Sequence, residues 1–142
     1  MDSNILVYAE LEPETAKGAL ARSIIATAAP EGVLAVQAML EFLAVVRRRR
    51  AQSLPSAIVK VAAWSTVFQT AATTELVARD AAVLVREHGF QVWDAVIWSA
   101  ARGAGARLFL SEDLHDGLVL GGMRVANPFQ LERRELEILL DG

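Results

Sequence analysis

Cysteine is absent from the chain, which excludes disulfides and any metal site built on thiolates. Its absence also fits a reducing cytosol, so a cytoplasmic location is expected. Lysine is nearly absent: Lys17 and Lys60 stand alone, and the rest of the basic charge is arginine. No uninterrupted apolar run is long enough to span a bilayer, and no positively charged leader precedes an apolar segment. No excess of charge of either sign is present. The formal net charge of −3 argues against a nucleic-acid binder that works by electrostatics alone. Repeats, linkers and low-complexity segments are missing as well.

What remains is one domain's worth of chain, 142 residues, with room for a proper core. Hydrophobic residues make up 54%. That is above the usual range, so some apolar surface is expected to be covered by a partner or a second copy. Short apolar runs alternate with helical periodicity. Residues 1–10 read as a strand end turning into a short helix, and residues 13–27 as a helix opened by Pro13 and Glu14. Pro30, Glu31 and Gly32 break the chain before a buried strand at 33–36. A helix at 37–50 ends in Arg47, Arg48, Arg49 and Arg50. Another spans 55–68, with Ile58, Val59, Ala62 and Val67 as expected core contacts. An edge strand near 70–74, an amphipathic helix at 74–88 closed by Gly89, and an apolar helix at 92–104 follow. Strands at 107–110 and 123–126 and a charged helix at 130–140 complete the chain. Strands alternating with helices predict an α/β fold with a doubly wound, mostly parallel sheet.

The stretch LFLSEDLHDG, residues 108–117, turns from buried strand to carboxylates. That is where open α/β sheets bind ligands. Three further acids lie in apolar settings: Asp2, Glu41 and Asp94. Each also has a plain explanation. Glu41 could occupy the one exposed stripe of its helix, near Gln37. Asp94 is well placed as a helix N-cap. Asp2 and Asn4 could serve local turns, and Asp113, Asp116 and Ser111 could simply shape the turn around Gly117. The joint pattern is what points to chemistry: acids at or near the ends of several inner elements, able to meet around a hard divalent cation.

The opening Asp2-Ser3-Asn4-Ile5-Leu6-Val7-Tyr8, the acid in Glu41-Phe42-Leu43, the helix start Asp94-Ala95-Val96-Ile97, the turn Ser111-Glu112-Asp113-Leu114 with Gly117, and Asn127-Pro128-Phe129 resemble, in order and separation, a PIN-domain ribonuclease of the VapC toxin type. The resemblance covers nearly the whole chain. It implies a PIN-like doubly wound sandwich at 1–129, with a central, mostly parallel sheet of four to five strands flanked by helices, and a charged helix or tail at 130–142. It implies Asp2, Glu41, Asp94 and Asp113 as catalytic ligands of magnesium or manganese, directly or through water. Asn4, Ser111 and Asp116 would be supporting residues. It further implies an RNA substrate (tRNA or rRNA), a cognate antitoxin protein, a homodimer and no membrane. One departure stands out: the family has an apolar strand before its first Asp, whereas here only Met1 precedes Asp2.

Arginines 47 to 50 read as a contact to phosphates or to an acidic partner, or as a solvated helix end. His115 lies inside the acidic turn and His88 at a helix end. Trp64, Trp93 and Trp98 suit core or interface packing before base stacking. The leading expectation is therefore a metal-dependent endoribonuclease, the toxin of a type II toxin–antitoxin pair. The alternative is a catalytically weak or inactive PIN-like module that binds RNA or forms complexes. A phospho-acceptor receiver fold is a third, disfavoured because Lys17 and Lys60 both come too early.

Overall fold

The computed structural model describes residues 1–29 and 31–140. Pro30, expected within the break after the second helix, and Asp141 and Gly142 of the expected tail lie outside the described residues. The chain starts with α1 (Ser3–Leu11), capped by Asp2, followed by α2 (Ala16–Ala28). α2 begins later than the expected start at Pro13. The reason is Thr15, whose hydroxyl accepts the Gly18 N–H at 3.0 Å and so supplies the cap. Gly18 also lets the two helices meet: a Cβ there would lie 1.9 Å from the Glu12 carbonyl oxygen.

β1 (Val33–Ala35) leads into α3 (Val36–Arg49), then a 3-10 turn (Ala51–Ser53), α4 (Leu54–Val67) and β2 (Gln69–Ala71). α5 (Glu75–His88) ends at Gly89, whose φ of 67° makes the left-handed cap that glycine adopts without strain. α6 (Val92–Gly103) packs along α5 and precedes β3 (Leu108–Leu110), β4 (Val119–Leu120), β5 (Met123–Ala126) and α7 (Arg133–Leu140).

The α/β class holds, but the expected single sheet of four to five mostly parallel strands does not. Among the described residues the strands form two separate ladders. β1 pairs with β2 in parallel, and β3 pairs with β5 in parallel while β4 joins β5 antiparallel. No strand bridges the two. Beside β3, the backbone N–H of Asp2 donates to the Leu110 carbonyl at 2.9 Å.

The core runs between the ladders and the helices, with Phe42, Ile97, Trp98, Phe109 and Val125 fully buried. Trp98 meets Phe109 at 5.2 Å and Phe90 at 5.7 Å between ring centroids. The expected core contacts of α4 are overturned. Ile58, Val59 and Val67 are 53%, 69% and 52% exposed, Ala62 is exposed too, and Ala57 and Trp64 are buried instead. α4 is apolar on nearly every side, so its periodicity marks no unique inner face. No helix among the described residues is long and apolar enough to cross a membrane.

Candidate active site

Four carboxylates from different parts of the chain gather where α1, α3 and α6 meet the turn after β3. Asp2 is 2% exposed. One of its oxygens accepts the Ser3 N–H at 2.6 Å and the other accepts the Ser111 hydroxyl at 2.7 Å. Burial pushes its carboxyl above the ordinary value, aided by the Asp113 charge and opposed by the two hydrogen bonds.

Glu41 reaches in from α3. Its Oε2 accepts the Ser3 hydroxyl at 2.9 Å and its Oε1 accepts the Gln37 amide at 3.4 Å. The neighbour foreseen for a merely exposed Glu41 is therefore present, but the side chain also turns to the start of α1. Asp113 follows β3. Its backbone N–H donates to the Ser111 hydroxyl at 3.1 Å, and its carboxylate accepts the Asn4 amide at 3.1 Å. Ser111 thus links Asp2 to the acidic turn, and Asn4 holds Asp113. The Asn4 carbonyl oxygen is buried with no hydrogen-bond partner.

Asp94 is not the N-cap of α6. The helix starts two residues earlier, Gln91 takes the cap position, and Asp94 falls in the first turn. It still faces the positive end of the helix dipole. Even so, its carboxyl is pushed up to about 7, by burial first and then by the charges of Asp2, Asp113 and Glu41. The charge of each of the other three acids adds to that shift, which places the four within electrostatic reach of one another.

Asp116 lies apart from this unit. Its carboxylate accepts the Asn127 N–H at 2.8 Å and staples the turn to the end of β5. Arg47, Arg48, Arg49 and Arg50 are all exposed at the end of α3, and among the described residues none contacts the acids.

Three features had no clear signal in the sequence. Ser3 bridges the elements that carry Asp2 and Glu41, and only its place at a helix start hinted at a polar role. Glu112 is bound by Lys17 and by the Tyr8 hydroxyl, while the Lys17 ammonium lies over the Tyr8 and Phe129 rings at 4.1 and 4.8 Å. Nothing in residue spacing announces that contact. Lastly, a cavity of about 400 Å³ opens beside Asp94 and Asp113, with His88, Gln91 and His115 on its wall. Trp93, next to Asp94, is 56% exposed, whereas Trp64 and Trp98 belong to the core.

The donor set suits a hard divalent cation: several carboxylates, two of which (Asp2 and Asp94) are held back from ionising, and an unpaired amide oxygen. Among the described residues, however, no three acid or histidine side chains form a ready-made cage. Magnesium tolerates this, because it keeps several waters and needs only one or two direct carboxylates.

The Asp94 shift sets a pH dependence. The unfolded carboxyl loses its proton near pH 4, whereas the folded one holds it to about 7. Between those values the folded chain binds the extra proton, so metal-free stability falls as pH rises through the window. Thermal unfolding in chelator should show the loss between about pH 4 and 7. Asp94→Asn should flatten it and be the more stable protein at pH 8.

No protein-family profile matches the sequence, and no curated protein does. Among solved structures, the chain is similar to the VapC20 toxin of Mycobacterium tuberculosis, described as cleaving the sarcin–ricin loop. The TM-score is 0.64 at 17% identity, over 75% of this chain and 83% of that one. The fold is thus similar to that of this toxin.

Proposed function

We propose that this chain is a metal-dependent endoribonuclease, the toxin of a toxin–antitoxin pair. The observation that carries the reading is the convergence of Asp2, Glu41, Asp94 and Asp113, far apart in sequence, into one mutually repelling group on a VapC-like fold. These four would hold magnesium or manganese, directly or through water. The bound ion would supply an activated water and relieve charge on the phosphodiester. The chain's own residues do the positioning. Ser111 and the Ser3 N–H fix Asp2, the Ser3 hydroxyl aims Glu41, and Asn4 aims Asp113. Asp116 keeps the turn closed by holding Asn127.

Structured RNA, rRNA or tRNA, is the substrate class we infer. Trp93 offers an exposed ring beside Asp94 on which a base can stack. Trp93→Ala should raise the KM for RNA roughly 5- to 150-fold, taking one stacking contact as about 1–3 kcal/mol, with kcat little changed. An unchanged KM would remove Trp93 from the substrate path. Arginines 47 to 50 are available to phosphates or to an acidic antitoxin. The exposed apolar residues of α4 suit burial against a homodimer partner or that antitoxin, and the setting would be cytoplasmic.

The test is incubation of purified protein with total RNA and manganese, with and without chelator. Discrete fragments that vanish on chelation support the reading. RNA that is retained but never cut would favour the inactive binding module. Cutting that ignores the chelator would contradict metal dependence.

A further inference from the structure

Lys17 and Glu112 form an ion pair that the chemistry above leaves unused. Their side chains are 35% and 19% exposed, so the pair is partly withdrawn from water. Glu112 also accepts the Tyr8 hydroxyl. The Lys17 ammonium lies over the Tyr8 and Phe129 rings, whose faces attract a cation, and the two rings meet edge to face at 5.4 Å. Close packing of α2 on the end of α1 sets this up. A Cβ at Gly18 would stand 1.9 Å from the Glu12 carbonyl oxygen and 3.0 Å from that of Tyr8. Lys17, one residue earlier, is thereby laid across the Tyr8 ring.

The cluster is tied to the acid group through α1. Asn4 and Tyr8 are one helical turn apart and share a face. Asn4 donates to Asp113, and Tyr8 donates to Glu112, the residue before it. α1 therefore grips two consecutive residues of the turn after β3. Asp113 needs that grip, because its charge opposes the ionisation of both Asp2 and Asp94. The Asn4 bond is exposed, and a hydrogen bond that water can replace holds little by itself. The far end of the turn is tied to the same cluster. Asp116 holds the Asn127 N–H, and the Asn127 side-chain oxygen accepts the Phe129 N–H at 3.0 Å.

We propose that Lys17, Tyr8, Glu112 and Phe129 form a clamp that holds Asp113 within the acid group before a cation arrives. They are positioning residues, and none of them belongs to the proposed ligand set. The clamp's benefit to metal binding rests on the proposed nuclease reading, whereas its grip on the turn does not.

Manganese titration of Lys17→Met, Lys17→Arg and the parent chain decides it, together with the order parameter of the Asp113 amide in metal-free protein. Lys17→Met removes a positive charge near the acids, so by charge alone the cation would bind more tightly. The clamp predicts the opposite: a Kd raised about tenfold or more, the usual cost of losing a group that orients a ligand. The Asp113 order parameter should fall from about 0.85 to below about 0.6, while that of Arg124 in β5 stays unchanged. Lys17→Arg keeps the charge and the ring contact, and should stay close to the parent in both. Tyr8→Phe keeps the rings and loses only the hydroxyl, so it should show the Lys17→Met changes in smaller measure, and it carries the test if Lys17→Met fails to fold. Tighter or unchanged manganese binding in Lys17→Met would overturn the proposal. An unchanged Asp113 order parameter would overturn it whatever the manganese affinity. A parent chain that binds no manganese would sink the nuclease reading, and the order parameter alone would then decide the clamp.

Discussion

Asp94→Asn should leave the fold intact and lower manganese-dependent RNA cleavage by at least about 1000-fold. A bound ion contributes several kcal/mol of charge stabilisation to phosphodiester cleavage, and each 1.4 kcal/mol is a factor of ten in rate. Asp94 is the member of the acid group whose ionisation the other three oppose most plainly, so it has the most to gain from a cation. The amide keeps the shape but cannot supply the charge. The variant should also melt higher than the parent in chelator at pH 8, which separates lost chemistry from lost folding. Cleavage within tenfold of the parent would remove Asp94 from the mechanism.

Trp98→Ala should cost about 3–5 kcal/mol, the usual range for emptying a large aromatic site in a core, and lower the melting temperature by roughly 10–20 °C. Trp98 is completely buried between Phe90 and Phe109 and lies one helical turn after Asp94 on α6. Its collapse should therefore loosen the acid group along with the core. Trp98→Phe should be far milder, because the indole N–H has no hydrogen-bond partner to lose. Thermal melts of both variants beside their cleavage rates check the coupling. An active, stable Trp98→Ala protein would mean that Asp94 is held by something else.

The alternation of elements and four of the five short strands were legible because hydrophobic runs and turn residues are local signals, whereas the two-residue β4 (Val119–Leu120) was not foreseen. The gathering of Asp2, Glu41, Asp94 and Asp113 was legible only as a set. Each acid alone reads equally well as a cap or a solvated side chain. Two features escaped for physical reasons. The division of the sheet depends on backbone pairing between segments distant in sequence, which no residue pattern encodes. The outward face of α4 could not be found because a helix apolar all round has no preferred side. Asp94 shows the limit in a single residue. Its type suits a cap, but the helix begins at Val92, and the boundary was set by packing instead of by the capping preference. Ser3, Lys17 and Tyr8 make contacts across the fold that spacing cannot announce.

Isothermal titration of metal-free protein with manganese near pH 6.5 tests the central claim most directly. Binding of one or two ions with release of a proton is expected, since a cation among the acids must displace the proton that Asp94 holds up to about pH 7. Both the heat and the proton release should be lost in Asp94→Asn. No binding in the parent chain, or binding of equal strength in the variant, would contradict the account.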